Sequence, residues 1–435
     1  MSTRALPFNG LPMDCWFMIL DYLQPSDLNS LSKVCRSMHE NTKPHLYRNL
    51  IWNWNRNPLR RLLNLFRTVE AHPELLALIQ RVDFTVPLED SRLFSSHTRA
   101  NESLINSPRG YRSAYLFCQQ ILERSNMPDI SGWKHNMQRG DPYLFATLLI
   151  SQLPNLRRLS LDCSFVIYSG WPGMMLKHAM LTAPAGTLSK FEHLSWIEYG
   201  VTSARIRPNY DAVYNPFHDP HVRRQHNPYQ FTGFFFLPAL QALSLWMGSP
   251  ILTQEISKAN KMRENTMKNI LSFHVEGGHM NTYDMKFLLM NMKNLRELSL
   301  GLSYTFPFEA WSSARAIEEG LKSIAPNLEK FSFRPSHLSY FSLALWYQSV
   351  HLEHLGVPAS KLKFTPGFFK QFPKLVSLNV PAVYLTGGGY NRKSLAENLP
   401  SSLENLELRD QPLDMFWPER QWDELFGPVK EFFPP

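Results

Sequence analysis

The residues best suited to chemistry fall in a few places. His218, His221 and His226, with Asp219 between them, lie in FHDPHVRRQH, a run of metal-ligating types. A zinc site needs its ligands at helical or knuckle spacing, with partners behind them. Pro220 breaks any helix here, and Arg223 and Arg224 oppose a cation, so the run predicts no metal. Gly387-Gly388-Gly389-Tyr390-Asn391-Arg392-Lys393-Ser394 comes close to a phosphate-binding loop, with Lys393 and Ser394 where such a loop has its lysine and hydroxyl. Arg392 takes the place of the glycine before them, where a Cβ crowds the phosphate cradle, so the segment reads as a solvent turn. Glu318-Glu319 reads as a solvated pair on an exposed helix face. No GxSxG elbow, HExxH pair or kinase signature is present. Cys15, Cys35, Cys118 and Cys163 match no zinc spacing and read as free thiols in a reducing compartment, the cytoplasm and/or nucleus. The expectation is a chain without cofactor, and not an enzyme.

Recognition is better supplied than catalysis. The stretch 199–233 carries Tyr199, Tyr210, Tyr214, Phe217, Tyr229 and Phe231 among Arg205, Arg207, Arg223 and Arg224. Tyr and Arg are enriched at binding hot spots, and long loops on a rigid scaffold often carry recognition. Tyr210, Tyr214, Arg223, Arg224 and Tyr229 are therefore candidates for a substrate-facing loop; the alternative is a loop that folds back and buries its aromatics. The formal charge of +8 is spread along the chain, with only Arg56, Arg60, Arg61 and Arg67 approaching a cluster. Nucleic-acid binding calls for a denser basic stripe, so no such partner is expected. The start lacks the apolar core of a secretory signal, and Pro238, Gln241 and Ser244 interrupt the richest apolar window, Phe234 to Trp246, so no membrane span is expected.

The elements that must position these residues begin with helices. After Leu11-Pro12, the residues Trp16, Ile19, Leu20 and Leu23 recur at i, i+3, i+4, i+7, one face of an α-helix with Asp14 favourable in its first turn. Pro25 stops it. Ser26 or Asp27 then caps a second helix whose Leu28, Leu31, Cys35 and Met38 share a face beside Val34. Lys43-Pro44 reads as its end, with Leu46, Tyr47 and Leu50 opening a third. Forty residues bury little core alone, which argues for apolar side chains left over for a partner.

Together these residues resemble the F-box. Leu11-Pro12, Ile19-Leu20, Leu23, Asp27-Leu28, Leu31, Val34-Cys35-Arg36 and Leu46-Tyr47-Arg48 follow the family pattern in order, with Asp14 where Glu is common and Cys15 where Ile or Val is common. The resemblance implies that Leu11, Pro12, Ile19, Leu20, Leu23, Leu28, Leu31, Val34, Cys35, Leu46 and Tyr47 make the module core and the contact with a Skp-type adaptor. Through that adaptor the chain would reach a cullin and a ring-finger subunit.

Beyond the module one phrase recurs: an apolar residue followed by two more at i+3 and i+5. It appears as Leu156-Leu159-Leu161, Leu240-Leu243-Leu245, Leu295-Leu298-Leu300, Leu328-Phe331-Phe333, Leu352-Leu355-Val357, Leu375-Leu378-Val380 and Leu403-Leu406-Leu408. Weaker copies are Ile79-Val82-Phe84, Phe191-Leu194-Trp196 and Ile270-Phe273-Val275. The last two residues of each alternate as in a short strand with one buried face. Helical patterns lie between phrases, from Asp141-Pro142, over Thr282 to Met292 and over Phe308 to Ile324, and strands joined by crossover helices pair in parallel. Later copies start at 270, 295, 328, 352, 375 and 403, in steps of 25, 33, 24, 23 and 28 residues. The Asn or Cys expected three residues after the phrase in a leucine-rich repeat is replaced by Ser164, Gly248, Gly278, Ser303, Ser336 and Ser360, which predicts an irregular stack without that polar ladder.

The expected fold is α/β: a three-helix F-box module over 1–55, a helical connector over 56–75, an irregular leucine-rich-repeat solenoid over 76–425 with insertions at 87–140 and 199–233, and a tail over 426–435. Strands would line the concave face, with helices outside. Such irregular tails resemble those of fungal F-box proteins. The expected function is the substrate-recognition subunit of a Skp–cullin–F-box ubiquitin ligase, holding an unknown protein substrate; the alternative is a leucine-rich-repeat scaffold without a ligase.

Overall fold

The computed structural model describes residues 11–54, 58–85, 111–168, 170–200, 227–246, 256–257, 266–278, 282–305, 314–338, 364–381, 384–385 and 398–409. Three helices open it: α1 (Met13–Tyr22), α2 (Pro25–Ser32) and α3 (Arg36–Arg48). The second helix ends earlier than its apolar spacing predicts, because Lys33 and Val34 form a turn and Cys35 is extended, beginning α3. Lys43-Pro44 does not break α3. Pro44 lies inside it with its ring exposed, so the backbone bond its ring forfeits is lost on the solvent side. Leu50 does not belong to a helix either. Chain direction changes at Asn49, and Asn49–Asn53 is strand β1.

Ten strands form one open sheet in chain order, every neighbouring pair parallel: β1, β2 (Arg81–Thr85), β3 (Arg158–Leu161), β4 (Trp196–Tyr199), β5 (Ala242–Trp246), β6 (Ser272–Gly278), β7 (Glu297–Thr305), β8 (Lys330–Leu338), β9 (Ser377–Pro381) and β10 (Asn405–Arg409). Helices or short 3-10 turns cross between strands, as parallel pairing demands. Among them are α4 (Pro58–Ala71), α5 (Arg112–Ser125), α6 (Ile130–Gln138), α7 (Pro142–Ile150), α8 (Cys163–Tyr168), α9 (Trp171–Leu181), α10 (Thr282–Asn291) and α11 (Ala314–Lys322). The 56–75 stretch is core-forming: Leu59, Leu62, Leu63, Phe66 and Val69 of α4 are buried. So are Cys118 and Leu122 of α5 and Trp133 of α6, both within 87–140.

Alternation divides the sheet into two faces. Val82 and Phe84, Leu159 and Leu161, Leu243 and Leu245, Leu298 and Leu300, and Phe331 and Phe333 are buried on one side. The residue between each pair is polar and faces the other way, so Asp83, Ser160, Glu198, Ser244, His274, Ser299, Ser332, Asn379 and Glu407 stand in register across nine strands. One phrase was misregistered. In β4 the buried pair is Ile197 and Tyr199, led by Leu194, whereas Trp196 lies on the polar face beneath the Arg158 guanidinium, 3.7 Å from its ring centre. Phe191 is buried in a left-handed backbone turn ahead of it. Leu352-Leu355-Val357 falls outside the described residues, and β8 pairs directly with β9.

A polar ladder does exist, displaced to the approach of four strands, β3, β6, β7 and β8. Asn155 Nδ2 donates to the Ala77 carbonyl (2.7 Å), Asn269 to Pro238 (2.8 Å), Asn294 to Lys268 (2.9 Å) and Asn327 to Lys293 (3.1 Å). Each of these asparagines precedes the apolar residue that leads a phrase. At the next step one carbonyl accepts two successive N–H groups of the following repeat: Gln80 from Arg157 and Arg158, Gln241 from Leu271 and Ser272, Arg296 from Glu329 and Lys330. The lead residues thus satisfy the backbone where side-chain alternation has not yet begun.

Glu318-Glu319 is not a solvated pair. Glu319 is exposed and bonded to Lys286 (2.6 Å), but Glu318 is buried and accepts the backbone N–H and the hydroxyl of Thr365. A turn from further along the chain covers one of the two acids.

Asp141 caps α7, accepting from Tyr143 N–H (2.9 Å) and from Trp171 Nε1 (2.8 Å), which fastens α7 to α9. Burial pushes its carboxyl above the usual range, opposed by the bonds from Trp171, Tyr143 and Leu144. A raised folded-state value favours folding most below the ordinary Asp value near 4, and that contribution is lost as pH rises through the raised value. Asp141→Asn removes the charge and keeps one acceptor oxygen, for Tyr143 N–H, while its amide NH2 replaces the oxygen that accepts from Trp171 Nε1. Whatever the lost Trp171 bond costs at both pH values, the variant's stability relative to the wild type is expected to rise from pH 4 to pH 7, while Asp141→Ala loses about 1–2 kcal/mol. Urea melts at the two pH values check this; an Asn variant less stable at pH 7 than at pH 4, relative to wild type, contradicts it.

Candidate docking face of the N-terminal helices

The three helices share a small core of Trp16, Leu20, Leu28 and Met38, against which Leu23, Leu31 and Leu46 pack. Pro12 precedes α1 and Pro25 begins α2, while Asp14 and Asp27 sit in first turns, where the helix dipole favours a carboxylate. Asp21 ties α1 to α3, its Oδ1 lying 2.8 Å from His45 Nδ1 and 2.9 Å from Arg48 Nη1, and Phe17 stacks on the His45 ring at 5.8 Å. The same helix α3 is anchored to the sheet. Lys43 reaches Glu74 (3.1 Å), Arg48 Nε donates to Gln80 Oε1 (3.3 Å), and the Arg48 carbonyl accepts from Gln80 N–H (2.9 Å). Glu74 is held below the usual carboxylate range by its own backbone hydrogen bond first and by Lys43 next.

Apart from the side that carries Asp14 and Asp21, α1 is apolar around its circumference, and this small core covers only part of that surface. Leu11, Met13, Phe17, Ile19, Met18 (62 % exposed), Tyr22 (85 %) and Val34 (62 %) remain open to solvent. Among the described residues, most of the exposed large apolar side chains lie within 11–34. A helix apolar round most of its circumference is one that another surface must cover. The sequence-predicted set therefore divides. Leu20 and Leu28 are buried, Leu23, Leu31 and Leu46 line the small core, and Tyr47 packs on the sheet's core. Leu11, Pro12, Ile19, Val34 and Cys35 are exposed. Met13, Phe17, Met18 and Tyr22 were missed, although they are the apolar residues of α1 left over once the Trp16–Leu20–Leu23 stripe is assigned inward.

The other predicted residues gather no second site. Tyr210, Tyr214, Arg223, Arg224 and the histidines at 218, 221 and 226 lie outside the described residues, as does 387–394. Tyr229 is exposed, with the Lys177 ammonium 4.7 Å from its ring centre. Phe231 is buried, as is Tyr199, whose hydroxyl lies 2.6 Å from Gln230 Oε1. This end of the insertion folds back onto the core. Among the described residues no group of three His, Cys, Asp or Glu could hold a metal. Ser272, His274 and Glu297 come together on the polar face, with His274 Nε2 3.1 Å from Ser272 Oγ. The serine hydroxyl also lies 3.4 Å from a Glu297 carboxylate oxygen, so the two neighbours share it and it is not committed to His274.

Residues 8–51 match the model of the F-box-like family. The match supports an F-box protein, and it implies binding to a Skp-type ubiquitin-ligase adaptor and, through it, to a cullin. No curated protein matches the chain.

Proposed function

We propose that this chain is a non-catalytic substrate receptor of a Skp–cullin–F-box ubiquitin ligase, acting in the cytoplasm or nucleus. The observation that carries the proposal is the uncovered apolar surface of α1 and the α2–α3 turn, within the segment that matches the F-box-like family. The sheet is read as an irregular leucine-rich-repeat solenoid, of the kind the fungal resemblance suggests. The support is the recurring phrase, the in-register parallel strands and the asparagine ladder at the approach of four of them. Its polar face and the insertion containing Tyr210, Tyr214, Arg223, Arg224 and Tyr229 are the proposed substrate-holding surfaces. The contribution to ubiquitin transfer is proximity: one end grips the adaptor while the other presents a substrate lysine.

A second reading, a repeat scaffold whose helices merely cap the sheet, draws on the direct passage of α3 into β1. Capture of a purified Skp-type adaptor by the full-length chain separates the two. The receptor reading expects a stable complex at micromolar concentration; no complex there leaves only the scaffold. Deleting residues 1–50 is a poor control, since Asn49 and Leu50 belong to β1.

A further inference from the structure

We propose that Thr365 is a phosphorylation site whose modification releases the last strands from the sheet. Thr365 is exposed and followed by Pro366, the order that proline-directed kinases accept, and it lies in the turn before the short helix Phe368–Gln371. Its backbone N–H and its hydroxyl (2.9 Å) both donate to the carboxylate of Glu318, on α11 of the preceding repeat. Glu318 is only 4 % exposed, so its charge is held largely by these two donors of one residue.

Transfer of the γ-phosphoryl group of ATP breaks the bond to the β–γ bridging oxygen and forms one to Thr365 Oγ1. ADP leaves, and the hydroxyl proton passes to the kinase's base. The product replaces a donor with a group of about −1.5 to −2 charge, set against a buried carboxylate. The clamp cannot survive with both charges in place.

What the clamp holds is the join between β8 and β9. These strands pair over Lys330–Ser332 only, whereas β7 and β8 pair along Glu297–Thr305. Beside that pairing the Glu329 carbonyl accepts from Val376 and Ser377 N–H, and aromatic packing completes the join: Phe364 meets Phe369 edge-on (5.0 Å), Phe369 packs on Phe331 (6.2 Å), and the Phe364 N–H reaches the Tyr384 carbonyl (2.8 Å). Pulling Thr365 away withdraws Phe364 with it, and β9 and β10 are left on the short pairing and the Glu329 carbonyl alone, from which they open readily.

The test treats the full-length chain with a proline-directed kinase and Mg-ATP, locates phosphate by mass spectrometry and follows amide hydrogen exchange. Phosphate is expected at Thr365, with amide exchange of residues 377–380 at least tenfold faster and that of Arg158–Leu161 unchanged. In Glu318→Gln, which keeps an acceptor but no charge, phosphate at Thr365 is expected to leave exchange within about twofold of the unmodified variant. No phosphate at Thr365 overturns the proposal, whatever Ser107-Pro108 and Ser249-Pro250 take up. So does phosphate with unchanged exchange in the wild type, or equal opening in Glu318→Gln. If that variant is already open before modification, the wild-type comparison alone decides. No adaptor is present, so the result stands apart from the ligase reading.

Discussion

Replacing Ile19 and Val34 together by aspartate is expected to lower affinity for a Skp-type adaptor about a hundredfold or more while leaving the chain folded. Val34 is 62 % exposed and Ile19 38 %, and neither belongs to the small core of the three helices, so the substitutions remove little packing within the chain. Full burial of one aliphatic side chain contributes about 1.5–3 kcal/mol, and about 1.4 kcal/mol is a factor of ten in affinity. Losing two such contacts, and placing a carboxylate at each, exceeds a hundredfold on that scale. Leu20→Ala is the contrast. Leu20 is 1 % exposed in a core of a few side chains, so the loss of about 2–5 kcal/mol falls on the fold of the three helices. Calorimetric titration with the adaptor, beside hydrogen exchange of α1–α3, distinguishes a lost contact from a lost fold. An affinity for Ile19→Asp/Val34→Asp within threefold of wild type would remove this face from the interface.

Gly173→Ala is expected to cost about 3 kcal/mol or more, although it adds a single methyl group. The α9 helix meets the 3-10 helix Pro228–Phe236 with backbones in contact. A Cβ on Gly173 would lie 1.8 Å from the Gln230 carbonyl oxygen, and one on Gly233 would lie 2.4 Å from Lys177 N. Space alone is at issue at both positions, and no flexible side-chain end is there to yield. Separating the two elements also opens the Tyr199–Gln230 hydrogen bond and the bond from Gln230 Nε2 to the Val166 carbonyl (3.2 Å), both buried. Overpacking of about 1–3 kcal/mol thus adds to orphaned polar groups of similar cost. The urea midpoint reports it; a variant that melts with the wild type would show that the elements slide apart freely.

Much of the sheet is legible because a strand with one buried face must alternate, and pairs such as Leu298 and Leu300 alternate in apolar residues alone. The reading slips where large aromatic residues occupy both faces. Around β4, Leu194-Trp196 and Ile197-Tyr199 fit the spacing equally, and it takes the burial of Ile197 and Tyr199 and the Arg158 partner across the strand to show that Trp196 faces the polar side. Strand β1 was hidden behind Leu46, Tyr47 and Leu50, whose spacing also suits a helix. On the docking face the module was readable from residue order, but α1 is apolar in nearly every direction, so inward and outward positions had no polar contrast to separate them. Glu318 was misjudged for another reason: its burial depends on Thr365, and no local pattern reports a contact so distant in sequence.

Arg48 ends α3 and Asn49 begins β1, with no residue between them. There is therefore no slack in the joint. Adding one residue to the end of that helix would turn the docking face by about 100° relative to the sheet, where a floppy tether would absorb it. The angle between the helices that match the F-box-like family and the ten-stranded sheet is thus written into the chain's spelling at one junction.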